Sequence, residues 1–255
     1  MLGVPVIEHA EDLHLSAGGS MHAGAVALRL GLRGISGASE AAMVARDLLL
    51  AEESGAHIHI AHLSTAASVR LLRDARARGV RATAEVTPHH LVLADEDMAP
   101  YDTNFKMNPP LRSAADREAV LEALADGTID AIATDHAPHA PHEKQQEFDR
   151  APFGIIGLET ALPLGLRLVR EGKLTLTRLV EAFSCAPAGI FHLPGGSLAP
   201  GSLADITVFD PAETWTYEAA RGESLSRNSP FDGWKMQGRA VYTIVGGRVA
   251  YSRRG

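Results

Sequence analysis

Three apolar stretches of this sequence each end in a side chain that can bind a metal ion. Residues 131–134 lead directly into Asp135, and two similar stretches end at His9 and at His62. Parallel α/β barrels present their chemistry at the carboxyl ends of strands, so residues far apart in sequence meet there. Zinc binds neutral imidazole nitrogens and carboxylate oxygens. Each residue alone is more typical of a structural hydrogen-bonding group, but the repeat on three strands predicts a zinc site at His9, His62 and Asp135.

The other histidines are weaker candidates for this site. His57 and His59 alternate with isoleucines along one strand and are expected to pack in the interior. His89 and His90 follow another strand and could approach the site, but they are not expected among the metal ligands. Four more lie in segments of loop character and are expected to be solvated: His14, His22, His142 and His192.

Other catalytic signatures are missing from the sequence. It contains no G-x-S-x-G elbow, no P-loop and no G-x-G-x-x-G after a strand. A Ser-His-Asp triad built on Ser64 has no identifiable oxyanion hole. Metal-assisted hydrolysis is therefore the leading chemistry.

Composition limits the classes of partner. The 255 residues are 45% hydrophobic and carry a formal charge of −7, which argues against nucleic acid and favours a small molecule. We find no membrane span and no signal peptide, and the single cysteine, Cys185, excludes an internal disulfide, so we expect a cytoplasmic protein. Cys185 itself is expected to be a small buried residue.

Helical periodicity alternates with short apolar runs through most of the chain. The run at residues 2–9 predicts a core strand, and residues 39–55 predict an amphipathic helix with Ser39 as its N-cap. The repeated alternation indicates βαβ units with a parallel sheet; four strands are recognisable, whereas a closed barrel has eight. A polar loop at residues 136–157 is expected to cover the site.

The pattern changes near residue 200. Two β-type runs with glycine turns follow, and no helix separates them, which predicts strands of a small β-sandwich. We therefore expect two parts, a portion of an α/β barrel at residues 1–199 and a β-sandwich segment at residues 200–255.

Several motifs together resemble the dihydroorotases of the bacterial class I type, in the amidohydrolase superfamily. The most specific are Thr87-Pro88-His89-His90 and Met107-Asn108-Pro109-Pro110-Leu111-Arg112. The other matching stretches, in the same order and with similar spacing, are residues 8–12, 62–65, 135–139, 153–160 and 226–231. The resemblance covers essentially the whole length.

This resemblance implies a fold and a reaction. The fold would be a (β/α)8 TIM-type barrel, of which this chain supplies roughly strands five to eight, plus a small β-sandwich. The reaction would be reversible cyclisation of N-carbamoyl-L-aspartate to dihydroorotate, the third step of pyrimidine synthesis. Asp135 would move a proton from the attacking water to the leaving nitrogen.

The resemblance also implies residue roles. His9, His62 and Asp135 would be zinc ligands, and Asp135 would also be the catalytic base. Substrate would be held by Asn108, His139 and the backbone at Phe153 and Gly154, with two zinc ions in the complete family site.

The family pattern is not complete in this chain. The family's His-x-His-x-Arg motif on the first strand and its bridging Asp or carboxylated Lys on the fourth have no counterpart here. The sequence is therefore expected to be the C-terminal part of such an enzyme, able at most to hold one metal weakly. Unpaired sheet edges would favour a homo-oligomer or another partner chain.

Two other functions remain open. One is a related cyclic amidase, an allantoinase or dihydropyrimidinase, which Asn108 and the residues 135–139 disfavour. The other is a non-catalytic partner of aspartate transcarbamoylase, which the retention of His9, His62 and Asp135 disfavours.

Overall fold

Short strands and capped helices alternate along most of the chain. The computed structural model describes residues 3–253. The first elements are β1 (Val6–Glu8), α1 (Leu13–Ser16), β2 (Met21–His22), α2 (Ala25–Leu30), β3 (Gly34–Ile35), α3 (Gly37–Ser54), β4 (Ile58–Ile60), α4 (Ala66–Ala77), β5 (Ala82–Val86), α5 (Pro88–Val92), α6 (Ala114–Ala125) and β6 (Ala131–Ile132). The later elements are α7 (Pro141–Lys144), α8 (Ala161–Arg170), α9 (Leu176–Val180), α10 (Ala186–Phe191), β7 (Ile206–Thr216), β8 (Lys235–Val245) and β9 (Arg248–Ser252).

The main sheet is parallel. Within residues 3–253 its strand order is β1-β4-β5-β6, and every neighbouring pair runs in the same direction. Helix α3 connects β1 to β4, and α4 connects β4 to β5, as a parallel sheet requires of its crossovers. The predicted α/β fold with a parallel sheet is confirmed.

Side-chain caps fix where the main helices begin. Ser36 rather than the predicted Ser39 is the N-cap of α3, because its hydroxyl accepts a hydrogen bond from the backbone of Ala38. Thr65 caps α4 and Ser113 caps α6 in the same way. These caps place the start of each helix directly after a loop at the carboxyl edge of the sheet.

The core lies between the sheet and its helices. Val44 from α3, Leu72 from α4 and Val120 from α6 are fully buried, as is Ile60 of β4. Burying a side chain of this size contributes about 1.5–3 kcal/mol. The sheet face toward the helices is therefore well anchored and supports the loops at the strand ends.

The first strand is not the core strand that its apolar sequence predicts. Leu2 lies outside the described residues, and Val4, Val6 and Ile7 are 56%, 56% and 57% exposed. Strand β1 is at the edge of the sheet, where only β4 pairs with it among the described residues. An apolar sequence specifies a strand but not which neighbours cover it, so the prediction of burial was wrong.

Four further features differ from what the sequence indicates. Residues 23–34, which show little pattern, form α2 and, with the residues beside it, the small parallel pair β2 and β3. The loop at residues 136–157 contains α7 and buries Phe148. Cys185 is exposed rather than buried, because it lies in a π-helical turn whose buried side is occupied by Ala182. His22 is half-buried on β2 instead of solvated in a loop.

The C-terminal strands form a separate antiparallel sheet. Its order is β7-β8-β9 within the described chain, with antiparallel pairing throughout, which confirms that the segment after residue 200 forms strands of its own sheet. Gly238 of β8 packs against α8 so closely that a Cβ atom there would lie 2.2 Å from Leu166. The exact domain division after residue 199 stays a prediction. No helix among residues 3–253 is long and apolar enough to cross a membrane.

Candidate active site

Two of the predicted metal ligands meet at the carboxyl edge of the sheet. His9 follows β1 and His62 follows β4, and these strands are neighbours whose pairing continues with a hydrogen bond from Ala61 N to Glu8 O. His9 Nδ1 and His62 Nε2 lie 2.9 Å apart and share a hydrogen bond. The register of the two strands thus brings together imidazoles that are 53 residues apart in sequence.

Backbone strain marks two of the predicted ligands. Four non-glycine residues of the described chain have positive φ, and two of them are His62 (35°) and Asp135 (45°). Such conformations cost about 1–3 kcal/mol, persist only where the surroundings enforce them, and cluster at functional sites. The strain therefore supports a functional role for these two strand ends.

The electrostatics keep the His62 ring neutral. Burial lowers the pKa of His62 and the neighbouring His9 lowers it further, while the carboxylate of Asp135 acts in the opposite direction. A neutral imidazole is the form that binds a metal ion. His62 is thus in its ligand form at neutral pH without having to lose a proton.

The donor atoms fit a zinc ion in type and in spacing. Two imidazole nitrogens on a tetrahedral zinc lie about 3.3 Å apart, close to the 2.9 Å between His9 Nδ1 and His62 Nε2. His62 Nδ1 is buried and has no hydrogen-bond partner. Residues 3–253 contain no group of three or more His, Cys, Asp or Glu side chains close enough to hold a metal together. The fit therefore covers the two histidines, and Asp135 as third ligand stays a prediction.

Glu11 joins the histidine pair to the predicted substrate residue Asn108. Its Oε2 atom lies 3.0 Å from His9 Nε2 and accepts a hydrogen bond of 2.9 Å from Asn108 Nδ2. Burial raises the pKa of Glu11, but hydrogen bonds from His9, Ser16 and Asn108 outweigh it and the net pKa is lowered. A carboxylate behind a histidine is a common way to orient a metal ligand. The sequence motif at residues 8–12 contained Glu11, but only the structure gives it this role.

The remaining predicted substrate residues are also brought together. His139 Nε2 shares a hydrogen bond of 2.8 Å with the carbonyl oxygen of Phe153. Gly154 has φ of 135°, and a Cβ atom there would lie 2.6 Å from Ala137 and 2.9 Å from His139. Only glycine fits this position, where the backbone packs directly against Ala137 and His139.

Two buried residues, to which the sequence assigned no role, hold this loop. Asn228 donates hydrogen bonds to the carbonyls of Ala137 (2.9 Å) and Gly154 (3.0 Å) and accepts one from the backbone of His139 (3.2 Å). The Lys144 ammonium donates to the carbonyls of Pro152 (2.9 Å) and Gly154 (3.0 Å), and to that of Lys106 (3.3 Å). The Asn228 contacts span 74 to 91 residues of sequence, and the Lys144 contacts span 8 to 38. A pocket of about 200 Å³ lies beside His139.

Two of the weaker candidates, His90 and Ser64, have their polar atoms bonded to other groups. His90 Nδ1 lies 2.7 Å from Thr87 Oγ1 and its Nε2 atom lies 3.0 Å from the Pro109 carbonyl, so both ring nitrogens have partners. Burial, with nearby positive charge, lowers the pKa of His90 to about 4. Ser64 is buried and its hydroxyl contacts Glu40 and Arg112 rather than a histidine.

Fold and site together define a class of protein. A parallel sheet with imidazoles and a carboxylate at the carboxyl ends of its strands is the arrangement of α/β-barrel enzymes. A family model described as the amidohydrolase family matches residues 1–250, and the chain belongs to that family. Members of this family are generally metal-dependent hydrolases.

Curated relatives are similar to the chain over nearly its whole length. The dihydroorotase of Geobacter sp. (strain M21) is 58% identical over 250 residues, 98% of this chain and 59% of that protein. The dihydroorotase of Solibacter usitatus is 55% identical over 252 residues, again 98% of this chain and 59% of that protein. The chain therefore spans less than two thirds of the length of these relatives.

Solved structures support the fold. An L-hydantoinase (dihydropyrimidinase) from Arthrobacter aurescens matches with a TM-score of 0.87 at 30% identity, over 97% of this chain and 57% of that one. A D-hydantoinase from Thermus sp. matches with a TM-score of 0.85 at 29% identity, over 98% of this chain and 57% of that one. The predicted fold and family are confirmed.

Proposed function

We propose that this chain carries part of the active site of a dihydroorotase, which interconverts dihydroorotate and N-carbamoyl-L-aspartate in pyrimidine biosynthesis. The observation that carries the proposal is the continuous hydrogen-bonded series His62, His9, Glu11 and Asn108. It joins the residues proposed to hold the metal to one proposed to hold the substrate. The names of the relatives at 55–58% identity agree with this reaction.

In the proposed mechanism His9, His62 and Asp135 hold zinc, which when bound lowers the pKa of water toward about 7 and polarises the amide carbonyl. Asp135 accepts the proton of the attacking water in the hydrolytic direction. It then donates that proton to the ring nitrogen as the carbon–nitrogen bond breaks. Such proton transfer contributes about 10²–10⁴-fold to the rate.

Asn108, His139 and the backbone at Phe153 and Gly154 are proposed to orient the substrate. The Asn108 amide has one hydrogen bond to Glu11 and can offer its remaining groups to the ring edge. His139 binds the substrate carboxylate after exchanging its present contact with Phe153. A loop tied down by Asn228 and Lys144 loses little further entropy when substrate binds.

Two other functions are ranked lower. The matched solved structures are named hydantoinase or dihydropyrimidinase, but their sequence identity to this chain, 29–30%, is about half that of the dihydroorotases. A non-catalytic partner of aspartate transcarbamoylase would have no use for the aligned pair of His9 and His62. Pairing with another chain and a cytoplasmic location belong to the proposal as further expectations, whereas the second zinc ion of the complete family site would need ligands that have no counterpart in this sequence.

Substrate binding to the zinc-supplied chain tests this proposal without requiring turnover. Calorimetry would compare dihydroorotate with dihydrouracil, which has the same ring but no carboxylate. We expect dihydroorotate to bind more tightly, and His139→Ala to remove the preference. Equal or tighter binding of dihydrouracil would favour a dihydropyrimidinase instead.

A further inference from the structure

A buried carboxylate collects hydrogen bonds from the segment that follows His62. Glu40, in the first turn of α3, is 2% exposed. Its carboxylate accepts from the backbone N–H groups of Ser64 (3.2 Å) and Thr65 (3.0 Å) and from the Thr65 hydroxyl (2.9 Å). It also accepts from the hydroxyls of Ser64 and Ser68, the latter at 2.7 Å. Five donors from one short segment therefore converge on a single side chain.

An arginine supplies the opposite charge. Arg112 Nη2 lies 3.6 Å from Glu40 Oε2, and Arg112 also donates to the Ser64 hydroxyl (3.0 Å) and to the carbonyl of Ile35 (3.1 Å). Burial raises the pKa of Glu40, but Arg112 and the hydrogen bonds outweigh it and lower the net pKa. Glu40 is thus ionised, and Arg112 ties it to the segment that carries Asn108.

The position of this cluster matters because His62 is strained. Its φ of 35° must be maintained by contacts on both sides of the residue. On the preceding side it is continuous with β4, and on the following side Leu63 N bonds to the Glu85 carbonyl at 2.9 Å. Glu40 then fixes the next two residues, Ser64 and Thr65, through backbone and hydroxyl groups together.

We propose that Glu40 is the positioning residue that holds His62 in its left-handed conformation and keeps its Nε2 atom aimed at His9. Arg112 couples the same carboxylate to the segment of Asn108, so both sides of the site share one buried anchor. The consequence for a metal rests on the function proposed above, whereas the positioning of His62 does not.

A buried ion pair with no positioning role would affect stability alone. Glu40→Ala removes all five acceptor contacts, whereas Glu40→Gln keeps an oxygen where Oε1 accepts four of them. Asp47→Asn is the matched control, because Asp47 is a buried carboxylate of the same helix whose side-chain partner is Arg46. Ser64→Ala is a milder variant that removes one hydroxyl between Glu40 and Arg112. It tests the positioning role of Glu40 in case Glu40→Ala does not fold.

The test has two readouts on the 255-residue chain. The first is the imidazole nitrogen NMR spectrum of the metal-free protein, with His62 assigned through His62→Gln. The second is zinc affinity by competition with a chelator. We expect Glu40→Ala to shift the His62 resonances and to weaken zinc binding about 10–100-fold. Glu40→Gln restores most of the affinity, Ser64→Ala moves both readouts in the same direction, and Asp47→Asn leaves both unchanged.

Unchanged His62 resonances in folded Glu40→Ala, or in Ser64→Ala where Glu40→Ala does not fold, would overturn the proposal. Equal effects of Glu40→Ala and Asp47→Asn would overturn it as well. Shifted His62 resonances in a chain whose wild type binds no zinc would support the positioning role and contradict the proposed metal function.

Discussion

Asn228 provides a sharp test of how the substrate loop is held. Its side chain is 3% exposed and makes three hydrogen bonds, two as donor to the carbonyls of Ala137 and Gly154 and one as acceptor from His139 N. At about 1 kcal/mol for each net hydrogen bond, Asn228→Ala should lower the free energy of unfolding by about 3 kcal/mol. The loop that carries His139 and Phe153 would lose its anchor at the same time.

Asn228→Asp should lower the free energy of unfolding more than Asn228→Ala does, although it changes the shape of the side chain less. The oxygen that replaces Nδ2 would face two carbonyl oxygens at about 3 Å, so two attractive contacts become repulsive. We expect a loss at least about 1 kcal/mol larger than for alanine at pH 8. Repulsion and burial raise the pKa of the new carboxyl, and its protonated form can donate one hydrogen bond. The difference in the free energy of unfolding between Asn228→Asp and Asn228→Ala should therefore be smaller at pH 5 than at pH 8.

Urea unfolding at pH 8 and pH 5 measures these differences. Asn104→Asp is the control, because Asn104 lines the same pocket and its side chain has no hydrogen bond among the described contacts. We expect it to stay within about 0.5 kcal/mol of wild type. Asn228→Asp matching wild type, or proving more stable than Asn228→Ala at pH 8, would refute the described role of the Asn228 amide.

Two further predictions concern the neighbouring contacts. Glu11→Leu breaks the link between His9 and Asn108, so zinc affinity measured by chelator competition should fall about 10–100-fold, and an unchanged affinity would contradict this. Burial and the nearby Lys106 lower the pKa of Lys144 to about 8, so between that pH and about 10.5 the unfolded chain holds a proton that the folded chain has lost. This group should therefore make the free energy of unfolding rise with pH by up to about 3 kcal/mol in that interval, and Lys144→Met should remove the rise in urea unfolding series.

Local sequence signals predicted most of the architecture. The strands before His62 and Asp135 and the helix predicted at residues 39–55, observed as α3, follow from periodicity, which depends on neighbours in sequence. The exposure of β1 did not follow, because burial depends on which distant segments pack against a strand. The apolar residues Val6 and Ile7 look the same in either case.

The candidate site divides in the same way. The closeness of His9 and His62 could be predicted because each stands at the end of an apolar strand, and Asp135 at a third strand end stays a predicted ligand. The roles of Glu11, Glu40 and Asn228 could not be predicted, because each depends on at least one partner between 24 and 97 residues away. Polar residues of this kind have no periodic signature, and only the folded chain brings their partners within hydrogen-bond distance.

The most direct test of the central claim is the X-ray absorption spectrum of zinc bound to this chain, compared with His62→Ala and Asp135→Ala. The account predicts two imidazole nitrogens at about 2.0 Å and at least one carboxylate oxygen at about 2.0–2.2 Å. His62→Ala should lose one imidazole, and Asp135→Ala should lose the carboxylate. A spectrum that neither substitution changes would place zinc elsewhere and contradict the proposed site.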